Sequence, residues 1–291
     1  MLLRFTKMHG LGNDFVLLDL ITQNFQIREE QIRFLADRRT GIGFDQLLIA
    51  QPPDDPGMDF KYRIFNADGT EAEQCGNGAR CFLRFVRDRG LTTKSKVRLE
   101  TSTGSIECQL ERDDQISVNM GAPVLQPERI PFITNCPSIL YNLELTIPLG
   151  GSPVTRGGAS GTSQVAIAVV SMGNPHAVLN VDNIDTAAVS QLGPLIERHP
   201  RFPARVNVGF MQVVDRGRIN LRVFERGVGE TKACGTGACA AVVAGRLQGL
   251  LDQDVEVNLP GGRLQISWAG DQYPVIMKGP ACRVYEGRLQ I

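Results

Sequence analysis

The chain has 291 residues, with 31 Lys and Arg balanced by 31 Asp and Glu, and so lacks the basic excess with which a protein tracks nucleic-acid phosphates. Hydrophobic residues make up 42% and charged residues 21%, enough for a sizeable core, and the length favours two domains over one. Arg4, Lys7 and His9 come before any leader-like apolar run, and residues 157–181 are broken by Ser, Gln, Asn and Pro, so neither a signal peptide nor a membrane span is expected.

Residues 26–39 are predicted to be helical, with an apolar stripe of Ile27, Ile32 and Leu35 and a stop at Gly41. Phe60, Tyr62 and Ile64 alternate with polar neighbours, the period of a half-buried strand. Residues 76–89 form a second predicted helix closed by Gly90, and short strands follow at 97–99, 105–110 and 115–118, with Thr-Gly and Asp-Asp turns between them. The first half thus predicts an antiparallel sheet with few helices. A domain change is expected close to Asn119 to Pro123. Residues 127–161 are rich in Pro, Gly, Ser and Thr, relieved by the alternating patch Leu143-Glu144-Leu145-Thr146-Ile147. Residues 150–161 read as a mobile surface loop.

The chain repeats itself. The segments FNADGTEAEQCGNGA and FERGVGETKACGTGA align so that Phe65 meets Phe224, Glu71 meets Glu230, Cys75 meets Cys234, Gly76 meets Gly235, Gly78 meets Gly237 and Ala79 meets Ala238. At nearly the same offset Gly12-Asn13 falls on Gly173-Asn174, Gln46 on Asn207 and Gly104 on Gly262. The unit is far longer than a solenoid repeat, so two similar domains facing each other are expected, with a pseudo-two-fold axis bringing Cys75 and Cys234 together.

In both copies Cys precedes Gly-x-Gly, a small residue and a helical stretch. A thiol there sits at a helix N-terminus, where unpaired N–H groups and the dipole favour a thiolate. The glycines allow the backbone N–H groups to form a nest for a carboxylate. A thiol and a thiolate on opposite faces of a carbon acid can invert its stereocentre, one removing the α-proton and the other returning one. Other readings stand beside this one. A Cys at a helix start also serves as a small hydrophobe, and the pair could instead cycle through a disulfide in a redox protein. A non-catalytic amino-acid-binding module is a further alternative. Gly235 to Ala240 fits a loose dinucleotide pattern without a parallel βαβ unit to support it. Cys81, Cys108, Cys136, Cys239 and Cys282 lack the Gly-x-Gly context and read as packing residues. Seven cysteines without a Cys-x-x-Cys pair suggest reduced thiols in the cytoplasm.

The run from Asn66 to Arg80, the opening Lys7-Met8-His9-Gly10-Leu11-Gly12-Asn13-Asp14-Phe15, the stretch Met172-Gly173-Asn174-Pro175-His176, and Glu225-Arg226-Gly227 through Cys234-Gly235-Thr236-Gly237 resemble the diaminopimelate epimerase family in motif and order. The resemblance implies an α+β fold of two pseudo-symmetric domains, each a mostly antiparallel β-barrel around a central helix. Residues 1–120 plus 280–291 would carry Cys75, and residues 121–279 would carry Cys234. It implies an epimerase of LL- and meso-2,6-diaminopimelate, serving lysine and peptidoglycan precursor synthesis with no cofactor and no metal. The expected partner is a small amino-acid substrate and, through Tyr285, a second copy in a homodimer. Carried over, Cys75 and Cys234 match the acid/base pair, and Gly76, Asn77, Gly235 and Thr236 match groups holding the reacting end of the substrate. Asn13, Gln46, Asn66, Asn174, Asn207, Glu225 and Arg226 match substrate-reading residues. His176 and Glu225 match residues tuning the cysteine pKa values. A proline-racemase-like enzyme using the same cysteine pair is the nearest rival. The Gly/Ser-rich stretch near residues 150–161 is longer than the family pattern.

Overall fold

A computed structural model of the chain describes residues 2–72, 75–146 and 162–290. The predicted loop at 150–161 lies outside the described residues. The chain divides into two compact units, Met1–Met120 with Met277–Ile291, and Gly121–Ile276. Among the described residues no helix is long and apolar enough to cross a membrane.

The first unit begins with β1 (Leu2–Gly10) and β2 (Asn13–Asp19), an antiparallel pair. Their tight turn uses Leu11 and Gly12, both at positive φ. Helix α1 (Glu29–Ala36) leads to β3 (Gln46–Gln51), which runs parallel to β2. Strand β4 (Phe60–Asn66) pairs antiparallel with β3 and with the short β5 (Glu71–Ala72). Helix α2 (Gly76–Asp88) then carries the chain to β6 (Lys96–Thr101), parallel to β4. Strands β7 (Gly104–Leu110) and β8 (Ile116–Asn119) complete an antiparallel run.

The second unit repeats this order. Strands β9 (Tyr141–Thr146), β10 (Thr162–Ser171) and β11 (Pro175–Asn180) are antiparallel neighbours. Helix α3 (Val189–Glu197) leads to β12 (Asn207–Asp215), parallel to β11. Strand β13 (Arg218–Glu225) pairs antiparallel with β12 and with β14 (Gly229–Thr231). Helix α4 (Gly235–Leu247) leads to β15 (Asp254–Leu259), parallel to β13, and β16 (Gly262–Trp268) returns antiparallel. Strand β17 (Val275–Gly279) spans the return to the first unit, where β18 (Cys282–Gln290) pairs antiparallel with β1. The sheets are mostly antiparallel, and the parallel pairs fall where a helix makes the crossover, as a parallel connection requires.

Ten of the 13 residues of α2 are buried, as are ten of the 13 in α4. A helix covered on nearly all sides lies inside its unit. Strands β1, β2, β3, β7 and β8 pack on α2, while β10 to β13 and β16 pack on α4. Phe82 of α2 meets the rings of Phe60 and Tyr62 at 6.0 and 4.9 Å, and burying each such side chain contributes about 1.5–3 kcal/mol. Helix α4 uses Ala and Val instead of aromatics.

Helix α1 is shorter than the predicted 26–39. Its N-terminus is fixed at Arg28, whose backbone N–H donates to the Gln31 side chain at 3.0 Å. Asp37 leaves helical geometry, and the N–H groups of Ile42 and Gly43 turn back to the Leu35 carbonyl. Ile27 still packs against the core from outside the helix.

Candidate active site

In the first unit the strand-loop-helix junction of β4, β5 and α2 presents Cys75. Its backbone is extended (φ −147°), making it the N-cap of α2, and Gly78 N–H donates to its sulfur at 3.4 Å. This is the expected helix-end position. The buried Tyr62 hydroxyl donates to the Cys75 carbonyl at 3.3 Å. Gly78 is needed for that approach, since a Cβ there would collide with the Tyr62 hydroxyl. Gly76 is less constrained: a Cβ would lie 2.7 Å from the Met277 methyl and 2.9 Å from the end of Met120, both flexible side-chain ends.

Asn13, at the start of β2, brings its Oδ1 to 3.9 Å from Cys75 Sγ and 3.5 Å from the Asn77 amide nitrogen. Its own Nδ2 donates to Asp45 at 3.0 Å. On the adjoining strands Gln46 Nε2 donates to Asn66 Oδ1 at 3.0 Å, and Asn66 Nδ2 donates to Thr70. The structure therefore brings Asn13, Asn77 and Cys75 together and sets Gln46 with Asn66 as a neighbouring amide pair.

Several residues that support this group went unassigned in the sequence reading. Asp45 also accepts the Asp14 backbone N–H at 3.0 Å, while Arg38 forks onto Asp14 at 2.6 and 3.0 Å and reaches Asp45 at 2.8 Å. Lys7 donates to Asp14 and to the Gly43 carbonyl. Partial burial works against ionisation of Asp14, but Arg38 and Lys7 outweigh it and hold the carboxyl well below the usual range. The position of Asp45 immediately before Gln46, and of Asp14 immediately after Asn13, was the available signal.

In the second unit Cys234 is the N-cap of α4 (φ −123°) and is 4% exposed. Its Sγ lies 3.6 Å from the Thr236 hydroxyl. A helix end predicts a lowered thiol pKa, but here burial and the nearby Glu225 carboxylate push it up, against the opposing pull of Thr236 and the Gly237 N–H. Glu225 accepts a hydrogen bond from the Thr231 hydroxyl. Asn207 donates to the Pro175 carbonyl at 2.9 Å and accepts the Arg226 N–H at 3.0 Å. This ties the Asn174-Pro175-His176 turn to Glu225-Arg226. The Arg226 guanidinium donates to the Ala204 carbonyl at 3.0 Å, and the buried Glu197 accepts the next N–H, of Gly227, at 2.8 Å. Glu197 was missed because it acts on the turn from the distant end of α3. Gly235, the first residue of α4, is buried.

His176 is 1% exposed, and burial, with Arg226 adding to it, pushes its pKa down to about 3. It is neutral near pH 7, and its Nε2 lies 3.0 Å from Asn174 Oδ1. Because a carboxamide oxygen only accepts, Nε2 carries the proton. Tyr285 on β18 is 45% exposed, with its ring edge-on to Phe5 at 6.0 Å. Cys81, Cys108 and Cys239 are buried as expected, but Cys136 and Cys282 are exposed, so those two are not packing residues. Cys136 lies in an irregular segment just before Pro137, and Cys282 opens the exposed strand β18.

The family model described as diaminopimelate epimerase matches residues 5–126 and 168–284. A diaminopimelate epimerase from Ectopseudomonas mendocina (strain ymp) is 56% identical over 291 residues, covering 100% of both chains. Among solved structures, a phenazine biosynthesis protein of the PhzF family from Bacillus anthracis superposes with a TM-score of 0.69 at 16% identity, covering 100% of both chains. A hydroxyproline epimerase from Agrobacterium vitis, bound to trans-4-hydroxy-L-proline, gives 0.65 at 14% identity over 99% of this chain and 92% of its own. Those two structures share the fold.

Proposed function

This chain belongs to the diaminopimelate epimerase family, and from that premise we propose that it interconverts LL- and meso-2,6-diaminopimelate by two-base chemistry at Cys75 and Cys234. The observation that carries the reading is the duplicated junction: each half sets its cysteine at the N-cap of a buried helix behind Gly-x-Gly. One sulfur takes the α-proton as thiolate, and the other, as thiol, delivers a proton to the opposite face. The reaction needs no redox step, since the proton count is restored when the sulfurs exchange roles.

The residues that serve this chemistry divide by type. Gly76 and Asn77, with Gly235 and Thr236, offer helix-end N–H groups and polar side chains to the carboxylate at the reacting carbon, where negative charge develops. Asn13, Gln46, Asn66, Asn174 and Asn207 supply amide donors and acceptors, and Glu225 and Arg226 supply both signs of charge for the ammonium and carboxylate of the distal end. Glu225 also raises the thiol pKa of Cys234. His176 acts as a neutral donor that orients Asn174. The exposed Tyr285 fits a contact with a second copy of the chain, and the setting is cytoplasmic biosynthesis of lysine and peptidoglycan precursors.

Incubating the protein with LL-diaminopimelate in D₂O, without pyridoxal phosphate or metal, tests this reading. Deuterium should enter one α-carbon as the meso isomer forms. Exchange into proline but not diaminopimelate would transfer the reading to a proline-racemase-like reaction.

A further inference from the structure

The two repeat-related asparagines are held by opposite ends. At Asn13 the amino group is engaged: Nδ2 donates to Asp45 Oδ2 at 3.0 Å, leaving the carbonyl oxygen towards Cys75 Sγ and the Asn77 amide nitrogen. At Asn174 the carbonyl is engaged, by His176 Nε2 at 3.0 Å. A carboxylate accepts only, so Asp45 permits one orientation of the Asn13 carboxamide and excludes its flip. Asp45 is itself fixed, because the same Oδ2 accepts the Asp14 N–H at 3.0 Å and its Oδ1 meets Arg38 at 2.8 Å.

We propose that Asp45 is a positioning residue, holding the Asn13 carbonyl oxygen towards the Cys75 sulfur so that the thiol form of Cys75 is favoured more than the flipped amide would favour it. The inference rests on Cys75 being one of the two acid/base groups. A thiol at this place uses both neighbours, donating S–H to Asn13 Oδ1 while its sulfur accepts the Gly78 N–H at 3.4 Å. A thiolate keeps the second contact and turns its charge on a carbonyl oxygen, and hydrogen bonding to the neutral form disfavours the charged one. The flipped amide would present an N–H group and favour the thiolate instead.

Among the described residues, titratable or charged groups in this part of the unit include some on β4, α2, β1, β2 and the segment after α1. Tyr62 on β4 and Cys81 in α2 are fully buried, and burial keeps both protonated. Arg80 shares α2, and His9 on β1 accepts the Gly12 N–H next to Asn13 at 3.4 Å. Lys7, Asp14 and Arg38 form ion pairs behind Asn13, and Asp45 joins them through Arg38. None of these contacts engages the Asn13 amino group, which only Asp45 holds among the hydrogen bonds described.

The test is the pH dependence of iodoacetamide alkylation at Cys75, read by mass spectrometry of its peptide in wild type, Asp45→Asn, Asn13→Ala and the double variant. Asparagine at position 45 can meet either end of the Asn13 amide, so the alkylation midpoint of Asp45→Asn should fall by about one pH unit. The same substitution in the Asn13→Ala background should produce less than half that shift. Equal shifts in both backgrounds would show that the charge of Asp45 acts without Asn13 and would overturn the proposal, as would an unmoved midpoint in Asp45→Asn. Arg38→Gln, which loosens Asp45 without removing it, should give a smaller shift in the same direction, and serves if Asp45→Asn does not fold; no shift there would also count against the idea. Alkylation needs no turnover, so loss of epimerase activity and failure of this inference are read separately.

Discussion

The hydroxyl of Tyr62 donates to the carbonyl of Cys75 at 3.3 Å, tying strand β4 to the N-cap of helix α2. The same carbonyl accepts the Ala79 N–H at 2.9 Å, the first hydrogen bond of the helix. Burial raises the Tyr62 pKa well above its ordinary value, so the phenol remains a donor throughout the neutral range. Tyr62→Phe should therefore cost about 1–2 kcal/mol of stability and lower kcat more than it changes KM. Urea unfolding and steady-state kinetics check both; unchanged values would remove the brace from the account.

Gly78 owes its identity to the same hydroxyl, which occupies the space a Cβ would take. Gly78→Ala should destabilise the protein by roughly 1–3 kcal/mol through overpacking. In the Tyr62→Phe background the nearest remaining atoms are the Leu48 methyls at 3.3 Å, so the penalty there should shrink. Additive effects in the double variant would contradict this contact.

His176 gives a pH-dependent term in stability. Its pKa of about 3 in the folded chain lies below the ordinary 6.5, so the unfolded chain binds the proton more readily. Stability is then lost as pH falls from 6.5 towards 3, by up to about 1.4 kcal/mol per unit. Between pH 7 and pH 5 wild type should lose about 2 kcal/mol more than His176→Gln in urea unfolding. Parallel losses would mean that His176 is not buried neutral.

Glu225 raises the Cys234 thiol pKa alongside burial. Glu225→Gln should lower the alkylation midpoint of Cys234. An upward movement at Cys234 would reverse the sign assigned to that carboxylate.

The duplicated architecture was legible because Cys-Gly-x-Gly fixes a strand-loop-helix junction, and the structure repeats helix and strand order around both copies. Asn13 and Asn77 were readable as site residues through the family resemblance, Asn13 also through its repeat partner Asn174, but their meeting at Cys75 was not. Asp45 adjoins Gln46 in sequence, but its hold on Asn13 and the role of Arg38 arise from contacts across β2, β3 and the end of α1. Helix α3 carries no clear sequence signal because Gly193-Pro194 interrupts it. Its glycine is explained only by packing, as a Cβ at Gly193 would lie 2.6 Å from the Phe224 ring. The elevated Cys234 pKa was likewise hidden: the helix-end motif points downward, and burial with Glu225 reverses it.

The division of labour between two sulfurs is tested most directly by following LL-to-meso conversion in folded Cys75→Ala and Cys234→Ala proteins across pH. Each variant should lose roughly 10²–10⁴-fold in rate, and wild type should show a bell-shaped profile, because one sulfur must be charged while the other is protonated. Either variant working near the wild-type rate would contradict the two-sulfur chemistry outright.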